Sequence, residues 1–174
     1  IANAARTTGV GIAAVSGTYN MIHPDPEVRA DGLRRLGVII AAARAMGTEL
    51  VTLCTGTRDP KDQWRHHPGN DTADAWRDLG TEMQKALLLA EQHGVDLGIE
   101  PELANVVSSA RHARRLIDEL RSPRLKIVLD PARAELALRL RQEPVRLLLI
   151  GSNDSKNRAL GGRPGHHVQV VHRV

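Results

Sequence analysis

The chain has 174 residues, enough for one domain with a real core but short of the ~250 typical of a closed eight-stranded α/β barrel. Hydrophobic residues make up 41% and charged residues 25%, which excludes wholesale disorder; with no Phe, two Trp and one Tyr, a stacking platform for single-stranded nucleic acid is excluded as well. The net charge of +4, from 24 basic and 20 acidic residues, is Arg scattered along predicted helices, a solvated face rather than a DNA footprint.

A single cysteine, Cys54, rules out an internal disulfide and fits a reducing cytoplasm. No apolar run reaches the ~20 residues of a membrane span, and Ile1 to Val10 lacks the charged and apolar regions of a signal peptide. A cytoplasmic location is therefore expected. A chain that begins at Ile1 is read as starting inside a longer product or as processed.

The apolar stretch Val10 to Val15 predicts a buried strand that opens into Ser16-Gly17-Thr18. Asp25-Pro26-Glu27 then supplies a cap, a first-turn proline and a first-turn acid. Leu33, Leu36, Ile40 and Ala43 recur at helical spacing before Gly47. Glu49 to Cys54 is a second strand, followed by the polar loop Thr55 to Pro60. After the long segment from Lys61 to Asn70, Asp71 or Thr72 caps a helix with Trp76, Leu79, Met83, Leu87 and Ala90 on one stripe, ending at Gly94.

A third unit follows: strand Val95 to Ile99, the turn Glu100-Pro101-Glu102, and a helix holding Val107, Ala110, Ala113, Ile117 and Leu120, broken at Ser122-Pro123. The fourth strand, Leu125 to Leu129, ends at Asp130-Pro131. Strands alternating with helix-length segments specify βαβ crossovers and a parallel sheet. The fold class expected is therefore α/β, of the (β/α) barrel type, with too few units to close. Beyond Ala132 a helix over Ala134 to Arg141 and a strand over Val145 to Ile150 are expected, while 151–174 is polar, rich in Gly, Arg and His, and reads as an irregular tail. The division is thus a partial barrel at 1–150 and a tail at 151–174.

In parallel α/β folds ligands sit beyond the carboxyl ends of the strands. The residues placed there are Ser16, Thr18, Tyr19, Asn20 and His23 after the first strand, and Thr55, Thr57, Arg58 and Asp59 after the second, with Trp64, Arg65, His66 and His67 further along. Glu100 and Glu102 follow the third strand and Asp130 the fourth. Glu100 and Asp130 each follow an apolar strand directly, so both are expected in one pocket. Two carboxylates there can hold a divalent cation or carry acid/base chemistry; they serve equally well as helix caps or arginine partners. Adjacent His66 and His67 project in different directions, which favours substrate or phosphate contact over metal ligation, with Arg58 and Arg65 as anion partners; a solvated loop is the other reading. Asn20 and His23 can line the pocket, although His23 also suits a plain turn before a helix. Cys54 reads as a small core residue, with a reactive thiol as the lesser alternative, and Trp76 as part of a buried stripe. His166, His167 and His172 lie in a tail without a scaffold and are read as adventitious.

At these residues the sequence resembles the xylose isomerase-like TIM barrels described as sugar phosphate isomerases/epimerases. The matching strings are Val15-Ser16-Gly17-Thr18-Tyr19-Asn20-Met21-Ile22-His23-Pro24, Leu53-Cys54-Thr55-Gly56-Thr57-Arg58-Asp59-Pro60, Trp64-Arg65-His66-His67-Pro68, Ile99-Glu100-Pro101-Glu102 and Leu129-Asp130-Pro131-Ala132, over about residues 8 to 132. The resemblance implies a divalent metal (manganese, magnesium, cobalt or zinc) held by a Glu, an Asp, a His and a second Glu on successive strands. Glu100 would be the first ligand and Asp130 the second. It further implies that Glu100 moves a proton beside a sugar carbonyl while the metal polarises the oxygens.

The sequence also departs from that pattern. The later His and Glu would lie beyond residue 150, where no strand ending in them is visible, and Arg133 stands where such barrels continue with Asn or His. A truncated or frame-shifted stretch from Arg133 is therefore expected, and with it an inactive fragment. Alternative functions are a zinc-dependent abasic-site endonuclease, which the same Arg133 disfavours, and a non-catalytic module binding a small anionic ligand. The partner expected is a small sugar or sugar phosphate, with no membrane and no nucleic acid. Unpaired strands at the barrel's open edges add the expectation of self-association.

Overall fold

The computed structural model describes residues 1–129 and 147–149. Its elements are α1 (Ala2–Thr8), β1 (Val15–Ser16), α2 (Pro26–Met46), β2 (Leu50–Leu53), a 3₁₀ turn (Pro68–Asp71), α3 (Ala73–His93), β3 (Asp96–Ile99), α4 (Ala110–Leu120), β4 (Leu125–Leu129) and β5 (Leu147–Leu149). The five strands form one sheet in the order β1-β2-β3-β4-β5, every neighbouring pair parallel. Sequential order with parallel pairing is the pattern of a (β/α) barrel, and the described residues make an incomplete one.

Local chemistry explains the boundaries. The Asp25 carboxylate accepts the Glu27 N–H, Pro26 opens α2, and Gly47 closes it in the left-handed conformation (φ 95°). Thr72 caps α3 through the Ala75 N–H, and Gly94 (φ 65°) closes it. Ser109 caps α4 through the His112 N–H. Helices α2, α3 and α4 turn Leu36, Ile40, Leu79, Met83, Ala86, Ala113 and Leu116 onto Val51, Leu53, Leu97, Ile99 and Ile127, all within one buried cluster. The core is aliphatic, as a chain without Phe requires.

Two expectations need correction. The first strand is two residues long rather than spanning Val10 to Val15, and the short helix α1 precedes it. Val10 and Gly11 are exposed, and the Ala13 carbonyl accepts the Thr48 hydroxyl at 2.9 Å. A side chain thus occupies an acceptor that a continued strand would offer to its ladder. The fourth helix begins at Ala110, so Val107 lies in the preceding loop, buried, with its N–H donating to Thr55 Oγ1. The strand expected over Val145 to Ile150 is present as β5; the helix expected over 134–141 and the tail 151–174 lie outside the described residues. Among those residues no helix is long and apolar enough to cross a membrane.

Candidate functional site

Parallel register brings the carboxyl ends of β2 and β3 side by side, with Leu53 opposite Ile99. The next residue on each strand is therefore Cys54 and Glu100, and the Glu100 N–H still donates to the Leu53 carbonyl at 2.9 Å. Two residues on, Glu102 returns to the same place. Cys54 Sγ and one carboxylate oxygen from each of Glu100 and Glu102 all lie within 4.8 Å of one another. Cys54 is 3% exposed, Glu102 7%, and Glu100 half-buried. Each of the three also has an interaction within the chain.

Two carboxylates this close, one buried and one half-buried, repel unless something positive or a shared proton lies between them. Their oxygens suit a hard divalent cation, and a thiolate corner would add a softer donor. The donor set therefore fits a divalent metal. The sequence places Glu100 at the end of the third strand, where the structure has it, and reads Cys54 as a small core residue, which its burial agrees with; the closeness of Glu102 to both is not anticipated. The alternation Glu100-Pro101-Glu102 was the available signal: residues two apart on an extended segment face the same way. Asp130, and the position at 133 that bears on the endonuclease alternative, lie outside the described residues.

The remaining site candidates divide by what engages them. Asn20 is buried, and its Oδ1 accepts the Thr57 N–H at 2.9 Å. Arg58 donates to the Ile22 carbonyl (3.1 Å) and to Asp78 Oδ2 (2.5 Å), tying the β2 loop to α3. His23 accepts the Asp25 N–H on Nδ1, and its Nε2 stands 3.2 Å from the Pro60 carbonyl. His67 Nδ1 accepts the Gly69 N–H and so caps the 3₁₀ turn. Arg65 and His66 are exposed: Arg65 is 3.7 Å from Asp59, and His66 Nε2 is 3.8 Å from Asp71. The first four thus help to build the loops, while the last two face solvent at their rim.

The Asp59 carboxylate accepts the Lys61 and Asp62 N–H groups, and these bonds hold its carboxyl below the ordinary aspartate value. Beside it runs a cleft of about 500 Å³ lined by the β1 loop, α2 and the β2 loop, including Tyr19, Asn20, His23, Arg35, Asp59 and Lys61. The Tyr19 hydroxyl is buried with no hydrogen-bond partner among the described residues, and burial, with Glu82 adding its charge, pushes the phenol up. It stays neutral at any physiological pH.

No curated protein matches the chain. Among solved structures, 3-keto-D-glucoside 4-epimerase from E. coli is similar at 18% identity and a TM-score of 0.59, over 74% of this chain and 51% of that one. L-ribulose 3-epimerase is similar at 22% identity and a TM-score of 0.61, over 74% of this chain and 44% of that one. A Mycobacterium smegmatis xylose isomerase-like TIM barrel protein in complex with magnesium has 14% identity and a TM-score of 0.55, over 72% of this chain and 42% of that one. At these identities the likeness shows the fold, and the chain spans about half the length of these relatives or less. The family model described as xylose isomerase-like TIM barrel matches residues 1–171. The chain belongs to the xylose isomerase-like TIM barrel family.

Proposed function

We propose that this chain carries part of a metal-dependent sugar or sugar-phosphate isomerase or epimerase, in which Glu100 moves a proton on the carbon beside a carbonyl. The observation that carries the reading is the meeting of Glu100, Glu102 and Cys54 at adjacent strand ends. A half-buried carboxylate with a second one within 4.8 Å is suited to holding and returning a proton. Glu100 and Glu102 would hold the cation, with Cys54 at the third corner and Asp130 as the ligand implied by resemblance. When bound, the metal would polarise a substrate carbonyl and hydroxyl. Support for the substrate class comes from the two epimerases of like fold, and for a divalent cation from the magnesium-bound neighbour and from a similar structure, the IOLI protein, with a zinc atom. Arg65 and His66, exposed at the rim, are proposed as contacts for an anionic substrate group. One cysteine and no disulfide support the cytoplasm as the working compartment.

The test is deuterium incorporation from heavy water beside the carbonyl of a panel of ketoses and their phosphates, together with bound-metal analysis. Glu100→Gln is expected to slow exchange by about 100-fold or more and to lower metal content. Exchange and metal content equal to the parent's would remove Glu100 from the mechanism. A second reading, a non-catalytic module for a small anionic ligand, is favoured by Arg65 and His66, exposed at the rim. Ligand binding without any exchange would establish it.

A further inference from the structure

Three consecutive N–H groups of the β2 loop end on three buried asparagines. The Gly56 N–H donates to Asn105 Oδ1 (2.9 Å), Thr57 to Asn20 Oδ1 (2.9 Å) and Arg58 to Asn70 Oδ1 (2.7 Å). The asparagines belong to three segments: the β1 loop, the 3₁₀ turn, and the β3–α4 loop that also carries Glu100 and Glu102. Asn105 is 2% exposed. Its own N–H donates to the Glu102 carbonyl at 2.8 Å, and its Nδ2 reaches the Gln63 carbonyl at 3.3 Å. The Val106 N–H returns to the Gly56 carbonyl at 3.1 Å, and the Glu102 N–H to the Val107 carbonyl at 3.0 Å. Glu102 is thus held at both of its backbone groups within a turn stitched to the loop that follows Cys54.

We propose that Asn105 is a positioning residue for the Glu100, Glu102 and Cys54 cluster, fixing the carboxylate loop against the end of β2 so that the three donors converge. This rests on the cation reading above. Gly56 is itself closely confined by the β1 loop. Its φ is +80°, and a Cβ there would run into Asn20 Oδ1 and stand 2.9 Å from the Met21 nitrogen. Within this packing, the Gly56 N–H meets the Asn105 oxygen. An apolar side chain at 105 would leave that N–H buried and unpaired, and the loop would have to shift to reach water. Supporting residues of this kind typically change metal affinity by about 10–100-fold when removed.

The experiment is a Mn²⁺ titration of the 174-residue chain, followed by the paramagnetic resonance signal of free Mn²⁺, with Glu100→Gln, Asn105→Ala and Asn105→Asp alongside. The labelling rate of the Cys54 thiol by an aromatic disulfide is measured in the same samples. Asn105→Asp retains the acceptor for the Gly56 N–H but loses the Nδ2 donor to the Gln63 carbonyl, and is expected to bind Mn²⁺ more weakly than the parent yet more tightly than Asn105→Ala. Asn105→Ala is expected to bind about tenfold more weakly or worse, with unchanged helical circular dichroism and faster Cys54 labelling. Parent-like Mn²⁺ binding by Asn105→Ala, or a loss in Asn105→Asp equal to that in Asn105→Ala, overturns the proposal. If Asn105→Ala does not fold, Asn105→Asp decides alone: binding within about tenfold of the parent's supports the role and a greater loss overturns it. If the parent and Glu100→Gln titrate alike, the cation reading is what has failed. Labelling then decides for Asn105: acceleration in the alanine variant that the aspartate variant cancels supports positioning, and unchanged labelling overturns it.

Discussion

Gly98, in the middle of β3, has ordinary backbone angles, yet a Cβ there would fall 2.5 Å from Val128 Cγ2 and 3.2 Å from Leu50 Cδ1. Both neighbours are buried side chains on the flanking strands and have little room to give. Gly98→Ala is expected to cost about 1–3 kcal/mol by overpacking, read as a lowered urea midpoint with an unchanged slope. Asp78 links residue chemistry to pH. The hydrogen bond from Arg58 comes first and the charges of Arg58 and Arg29 follow; together they hold its carboxyl below the ordinary aspartate value. In acid the unfolded chain takes up this proton before the folded chain does. The contribution is therefore complete above the ordinary aspartate value, about 3.9, and is lost as pH falls through it toward the lower folded value. Asp78→Asn should be less stable than the parent at about pH 7, with the difference shrinking toward about pH 3 in urea melts across that range.

At the scale of elements, each long helix depends on a side chain at its start. The Asp25 carboxylate satisfies the Glu27 N–H at 2.8 Å, and α2 buries Leu36, Ile40 and Ala43 in the core. Asp25→Ala is expected to destabilise the fold by about 1 kcal/mol, measured by chemical denaturation. The cost should stay modest because Pro26 and the first-turn Glu27 still favour the helix start. Helices α2 and α3 are also joined by a polar chain: Arg29 stands 3.6 Å from Glu82 Oε1, which Lys85 pairs at 2.9 Å, while Arg58 and Arg29 share Asp78. Glu82 is buried, so its pairing satisfies a charge that would otherwise oppose folding.

For the whole molecule, the described sheet has two outer strands, β1 and β5, and β1 contributes only Val15 and Ser16 to its pairing. An open parallel sheet presents backbone donors and acceptors along its edges. The chain is expected to self-associate, and light scattering over a concentration series should show a mass above 19.0 kDa that rises with concentration. A constant monomer mass would contradict this.

The sequence by itself determined the parallel α/β class, the order of strands and helices, and Glu100 at a strand end, because period, caps and glycine stops are local properties. It misplaced the start of β1 and the start of α4. Strand pairing at β1 is taken over by a hydroxyl 35 residues away, and Val107 is held by Thr55 from a different unit, so neither partner is visible in the local pattern. Only the tertiary structure decided which groups meet at the site. Register set Cys54 beside Glu100, the turn at 100–107 returned Glu102 to them, and three asparagines from three segments joined one loop. Parallel pairing of strands separated by a helix brings distant residues together, and the side chains that converge are chosen by register, which composition and periodicity do not encode.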